Sequence, residues 1–177
     1  HYGSGDGRGK RIMNPAAEVS MRENSYMEME MVQIKGVDST NRTTKADLEA
    51  GAKLIIRERL LTHGSQYAES SFMVNLNGED SSANVISRSV AKEDSTQVFN
   101  AEINGNARCA GHSECDAIIM DNAKISAIPK ITANHTDAAL IHEAAIGKIA
   151  GEQIIKLMTL GMTEEEAEAE IVNGFLK

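Results

Sequence analysis

"YMEMEMVQIK", Tyr26 to Lys35, is the stretch whose reading decides the fold. On an extended chain Met27, Met29 and Met31 fall on one face and Glu28 and Glu30 on the other. That period of two is the mark of a half-buried strand and does not fit the 3.6-residue repeat of a helix. The same signature returns in "NVISRSVA" (84–91) and "TQVFNAEIN" (96–104), both rich in β-branched residues. Polar stretches lie between them, "GVDSTNRTTKAD" (36–47), "LNGEDSSA" (76–83) and "AKEDST" (91–96), and read as turns. "DLEAGAKLIIRERLL" (47–61) fits either period. No helix-length apolar stripe occurs before residue 151, so the chain from 25 to 150 is expected to be mainly β.

A second regularity separates the possible β architectures. A small residue followed two places later by a larger apolar one recurs at Ala46/Leu48, Ala83/Val85, Ala107/Cys109, Ala123/Ile125 and Ala139/Ile141, the last three 16 residues apart. Weak self-similarity of this kind suggests a solenoid, in which each coil buries its inward face against the next. Composition agrees: aromatics are 3% of the 177 residues, Trp is absent, and nine Met join Ala, Val, Ile and Leu to build the core. Small inward residues suit a narrow β-helix, and a sandwich of short strands is the alternative.

After Gly151 the pattern changes. "EQIIKLMTL" (152–160) sets Ile154, Ile155, Leu157 and Met158 at helical spacing, with Gly161 as its stop. "TEEEAEAEIVNGF" (163–175) opens with Thr163 and carries Glu166 three residues later, a capping box, with Gly174 as a plausible end. The division expected is a flexible or trimmed segment 1–24, a β-helix 25–150 and a helical segment 151–177. The chain begins with His1 and not Met, so an upstream piece is expected to be missing. The glycines of "HYGSGDGRGK" match neither a phosphate loop nor a dinucleotide fingerprint.

The net charge of −8 argues against nucleic acid as a partner, because binding phosphates needs a basic surface. No apolar run approaches the ~20 residues that span a bilayer. Two cysteines without a disulfide framework point to a reducing cytoplasm. Cys109, His112 and Cys115 invite a metal reading, but in a strand 109 and 115 share a face that 112 does not, and a fourth ligand is lacking. "LIHEAAIGK" (140–148) has Ile146 where a zinc-protease helix needs its second His. A Cys–His hydrolase has no supporting oxyanion or substrate-binding pattern.

Other residues carry a resemblance. The Cys115-Asp116-Ala117 turn, the strand around Pro129 in "AIPKI", the segment His142-Glu143-Ala144 leading to Gly147-Lys148-Ile149, and the ending "IVNGF" (171–175) follow one another over roughly residues 107–175. In order and spacing they resemble the C-terminal core of the SufB/SufD family of iron–sulfur cluster assembly proteins. Residues 46–90 are similar to that family's preceding coils. The resemblance implies a right-handed parallel β-helix with a small C-terminal helical segment, pairing with a second copy or a paralogue through the β-helix. It implies that the helices dock a SufC-like ABC ATPase, and that the assembly is a non-enzymatic scaffold for a transient iron–sulfur cluster that the isolated protein need not retain. Cys115 falls on the SufB-type cysteine of cluster assembly, His142 on the histidine that SufD-type proteins supply, and Glu143 on the neighbouring SufB-type glutamate. Ile141 departs from SufB-type sequences, which often carry an acid there. One thiol, one imidazole and one carboxylate would hold a cluster loosely enough to hand it on. The alternative is a metal-free interaction module of the same complex. In that case Cys115 should be an inert thiol, whereas an interface ligand is expected to be reachable.

Overall fold

Why the chain coils becomes clear from the burial of alternate residues. The computed structural model describes residues 9–34 and 36–177, and the Gly-rich opening of the expected N-terminal segment, residues 1–8, lies outside them. Eleven strands and two helices follow in order: β1 (Ile12–Met13), β2 (Ala16–Met21), β3 (Tyr26–Gln33), β4 (Ser39–Leu48), β5 (Lys53–Thr62), β6 (Tyr67–Leu76), β7 (Ser82–Ala91), β8 (Thr96–Gly105), β9 (Cys109–Ile119), β10 (Lys124–Ala133), β11 (Ala138–Gly147), α1 (Gly151–Met158) and α2 (Glu164–Phe175). Strands alternate between two sheets. One stacks β1 and β2, β4, β6, β8 and β10; the other stacks β3, β5, β7, β9 and β11. Every pairing among the described residues is parallel. The result is the parallel β-helix expected from the resemblance, and the sandwich alternative is excluded.

The repeat is longer than the 16-residue spacing noticed in the sequence. Ala16 lies beside Thr43, Ser39 beside Tyr67, Tyr67 beside Thr96 and Thr96 beside Lys124, so one coil takes 27 to 29 residues. Each coil contains two strands, and the 16-residue spacing joins strands of opposite sheets instead of stacked neighbours. Its last pair also breaks the inward rule, because Ile141 is 56% exposed on the outer face. The β-helix starts well before residue 25, since β1 and β2 pair with β4. The polar stretch 36–47 is a second correction. It contributes most of β4, whose Thr40, Arg42, Thr44, Ala46 and Leu48 all point inward. Composition read it as a turn because the interior of this coil is polar.

That interior is held by a buried ion pair. Glu58 meets Arg42 at 3.3 Å and accepts hydrogen bonds from Ser70 at 2.5 Å and Ser87 at 2.9 Å. Three partners of Glu58 from three other strands compensate the removal of a carboxylate and a guanidinium from water. Next to it the inside is largely apolar, with Leu54, Ile56, Phe72, Val74, Leu76, Phe99 and Ile103 in one cluster. It is also narrow: a Cβ on Gly111 would stand 2.8 Å from both Ile103 and Leu140.

Corners stack as regularly as strands. At one corner the amides of Asn24, Gly51 and Asp80 each donate at 2.8 Å to the carbonyl of the next coil, and all three residues have positive φ. Asn77, Asn106 and Asn134 form a side-chain ladder along the same corner at 2.7 Å per step. On the outer face the charges of β3 are matched, Glu28 by Arg57 and Glu30 by Arg59. This confirms the face assignment of "YMEMEM", with Met29 and Met31 packed against the core.

Helix α2 lies on the outside of the second sheet. Its Val172, with Phe175 and Leu176, packs on Leu61, Val90, Ile118, Met120 and Ile149. Thr163 and Glu166 form the reciprocal capping box foreseen from the sequence, and the helix runs through Gly174 to Phe175. No described helix is long and apolar enough to cross a membrane.

Replacing Glu58 by Ala leaves Arg42 charged and unpaired inside the coil, and is expected to cost about 3–5 kcal/mol in denaturant unfolding. The double variant Arg42→Met/Glu58→Met is expected to recover most of that loss. Equal destabilisation of both variants would show that the pair does not carry the effect.

Candidate functional site

Strand β9 sorts the candidate residues by parity. Cys109, Ser113 and Cys115 are buried on its inward side, while His112, Glu114 and Asp116 lie on the outward side. Its neighbour β11 is the edge strand of the sheet, and the register between them is fixed: His142 beside Ser113, Glu143 beside Glu114, Ala144 beside Cys115. Cys115 and His142 therefore share the inward face, one diagonal step apart. Glu143, the third residue of the expected set, belongs to the opposite face.

The inward group is short of hydrogen bonds. The Nδ1 of His142 and the Oγ of Ser113 are both buried and have no partner among the described residues. Buried polar atoms almost always find partners, so two orphans side by side, next to a thiol, mark a place suited to an additional ligand. Cys115 is only 1% exposed. Burial, with smaller contributions from Glu58 and Asp116, pushes its thiol up to about 12. Glu58, Ser87 and Cys115 occupy successive positions of one inward row, which explains how a carboxylate two coils away reaches it. In the single chain Cys115 is thus a protonated, inaccessible thiol, not the reachable one expected of an interface ligand. A bound metal ion would displace that proton, because coordination deprotonates a thiol outright. Sulfur and imidazole are a donor pair that fits iron. Cys109 faces inward too, and burial raises its thiol as well.

The outward group is built differently. The Nδ1 of His112 lies 3.0 Å from the Oδ1 of Asn84 on β7, and its Nε2 lies 3.2 Å from a carboxylate oxygen of Glu143. Burial first, and then Asp116, raise the pKa of Glu114. One donor atom each from His112, Glu114 and Glu143 lies within 4.8 Å of the others. From sequence, His112 reads as an ordinary strand residue, and Ser113, Glu114 and Asn84 carry no signal. Parity counted from Cys115 would have placed Ser113 inward and Glu114 outward. Nothing local gives the register that sets Glu143 beside Glu114.

The family described as SUF system FeS cluster assembly, SufBD core domain, matches residues 9–175. The chain belongs to the SufB/SufD family. An iron–sulfur cluster assembly SufBD family protein of Archaeoglobus fulgidus is 30% identical over 167 residues, 93% of this chain and 45% of the relative. One from Methanothermobacter thermautotrophicus is 42% identical over 106 residues, 58% of this chain and 26% of its own length. The iron–sulfur cluster assembly protein SufB of Bacillus subtilis is 32% identical over 102 residues, 55% of this chain and 22% of that protein. The chain spans less than half the length of these curated relatives. That family is described as one of SUF-type iron–sulfur cluster assembly.

The raised thiol sets a pH dependence. An unfolded cysteine titrates near 8.5, whereas folded Cys115 keeps its proton to about 12. The stability this contributes is fully present below about pH 8.5 and is lost as pH climbs towards the folded value. Between those limits the wild type is expected to lose stability faster than Cys115→Ala, by at most about 1.4 kcal/mol per pH unit. Parallel stability–pH curves from chemical denaturation would refute the assignment.

Proposed function

We propose that this chain is the core of a non-enzymatic scaffold on which an iron–sulfur cluster is built and from which it leaves, with Cys115 and His142 as the inward ligands. The observation that carries the reading is their convergence on one face of β9 and β11, with the His142 Nδ1 and Ser113 Oγ unpartnered beside the thiol. The cluster is cargo. A thiolate and an imidazole hold iron less firmly than four thiolates, and release requires that. Glu143 faces the other way and is not assigned to this pair.

Two further features support an assembly role. The last strand of each sheet, β10 and β11, leaves an edge unpaired among the described residues, and Ile128 and Ile141 stand exposed there. A second copy or a paralogue continuing the coil would pair those edges and cover the Cys115–His142 end, since unpaired strand edges are templates for another chain. Helix α1 buries none of its residues, and Ile155 and Leu160 nearby are 62% and 75% exposed. An amphipathic helix that touches α2 and still leaves apolar side chains exposed suits docking of a SufC-like ABC ATPase. Two free thiols agree with work in a reducing cytoplasm.

A metal-free interaction module of the same complex is the second reading, and the burial of Cys115 favours it. Anaerobic reconstitution with ferrous iron and sulfide separates the two. Wild type is expected to develop the visible charge-transfer absorbance of a cluster, and Cys115→Ala and His142→Ala to lose most of it. Absorbance missing from the wild type leaves only the metal-free module, and absorbance unchanged in both variants overturns Cys115 and His142 as the ligands. For docking, Ile155→Glu with Leu160→Glu is expected to cut co-purification of a SufC-type ATPase at least tenfold while thermal unfolding stays as in wild type. Undiminished capture would move the ATPase surface elsewhere.

A further inference from the structure

We infer that His112, Glu114 and Glu143 form a divalent-cation site on the outer face of the second sheet, separate from the inward Cys115–His142 pair. The argument begins with the protons of His112. Its Nδ1 is 3.0 Å from the Oδ1 of Asn84, an acceptor, so Nδ1 carries the hydrogen and donates it. In the neutral ring the Nε2 is then a lone pair, and it points at a carboxylate oxygen of Glu143 3.2 Å away. Two lone pairs that face each other at that distance need a cation between them, a proton or a metal ion. Asn84 is the kind of outer partner that fixes the tautomer of a ligating histidine and leaves its other nitrogen free.

Glu114 supplies the third donor from the expected direction. It lies beside Glu143 across the β9–β11 pair and two residues from His112 on the same outward face. All three donor atoms fall within 4.8 Å. Donors bound to one ion at about 2.0–2.2 Å stand at most about 4.4 Å apart. Glu143, its side chain 66% exposed, is free to turn and close that difference. Two of the three ligands sit on one strand of a stacked sheet, which holds geometry better than a loop does. Arg88 pairs in register with Asp116 and offsets part of the acidity beside the site, while among the described residues none of the three ligands is itself paired with Arg or Lys.

One imidazole and two carboxylates, with the remaining positions open to solvent, suit borderline and hard divalent ions such as Fe2+, Mn2+ or Co2+, and not soft Cu(I). Consecutive residues of edge strand β11 thus face two different environments, His142 inward and Glu143 outward. The outer site does not rest on the scaffold reading, and shares no ligand with the pair assigned there.

The test uses the full chain, freed of metal under anaerobic conditions and titrated with Co2+, in a Cys115→Ala background and in the wild type. One Co2+ per chain is expected in the Cys115→Ala protein, with the weak visible bands of nitrogen and oxygen ligation and no intense thiolate-to-cobalt band, and at least one in the wild type. His112→Ala and Glu114→Gln, both substitutions of outward side chains, are each expected to weaken binding at least tenfold, while His142→Ala leaves it unchanged. No Co2+ uptake in the Cys115→Ala protein, or equal affinity in His112→Ala and Glu114→Gln, would overturn the site. Loss of binding on His142→Ala alone would place the ion inside and overturn it too. Co2+ binding that persists where cluster reconstitution fails removes the scaffold reading and keeps this one.

Discussion

Everything in this molecule depends on each strand finding its parallel neighbour 27 to 29 residues along the chain. A β-strand cannot satisfy its own backbone groups, so each coil relies on the ones beside it. The corners keep the register: residues such as Asn24, Gly51 and Asp80 turn the chain with positive φ and donate to the next coil. Once the register is set, alternation fixes which side chains go in and which go out. A slip of one residue would exchange the two faces.

The interior therefore has a longitudinal order that a compact core lacks. Rows of equivalent positions run along the axis, and the row of Glu58, Ser87 and Cys115 places a carboxylate, a hydroxyl and a thiol in succession. The buried Arg42–Glu58 pair anchors the middle of the coil, and its negative end helps keep the Cys115 thiol protonated. Stability and the chemistry of the candidate site are coupled through one row of side chains.

The same alternation splits chemistry between the two sides of one thin sheet. Inward, Cys115, Ser113 and His142 meet in a dry setting with two unsatisfied polar atoms. Outward, His112, Glu114 and Glu143 meet where solvent reaches them. Edge strand β11 contributes to both, and a subunit that continues the coil would adjoin both. The C-terminal helices complete the asymmetry: α2 is bound to the sheet by Val172 and Phe175, whereas α1 leaves Ile155 and Met158 exposed.

Sequence alone determined the elements with local causes. The period of two in "YMEMEM" made strands, the Thr163–Glu166 box started α2, and the Cys115, His142 and "IVNGF" signals indicated the family. Parity already separated Cys115 from His112. It failed where the cause is not local: residues 39–48 look like a turn because their inward Thr40 and Arg42 meet polar partners supplied by the opposite sheet, Gln33 and Glu58. Coil length, the pairing of His142 with Ser113 and the meeting of His112 with Glu143 were decided only by the tertiary structure. Cross-strand register is set by hydrogen bonds between residues about 28 apart, and no short window of sequence contains both partners.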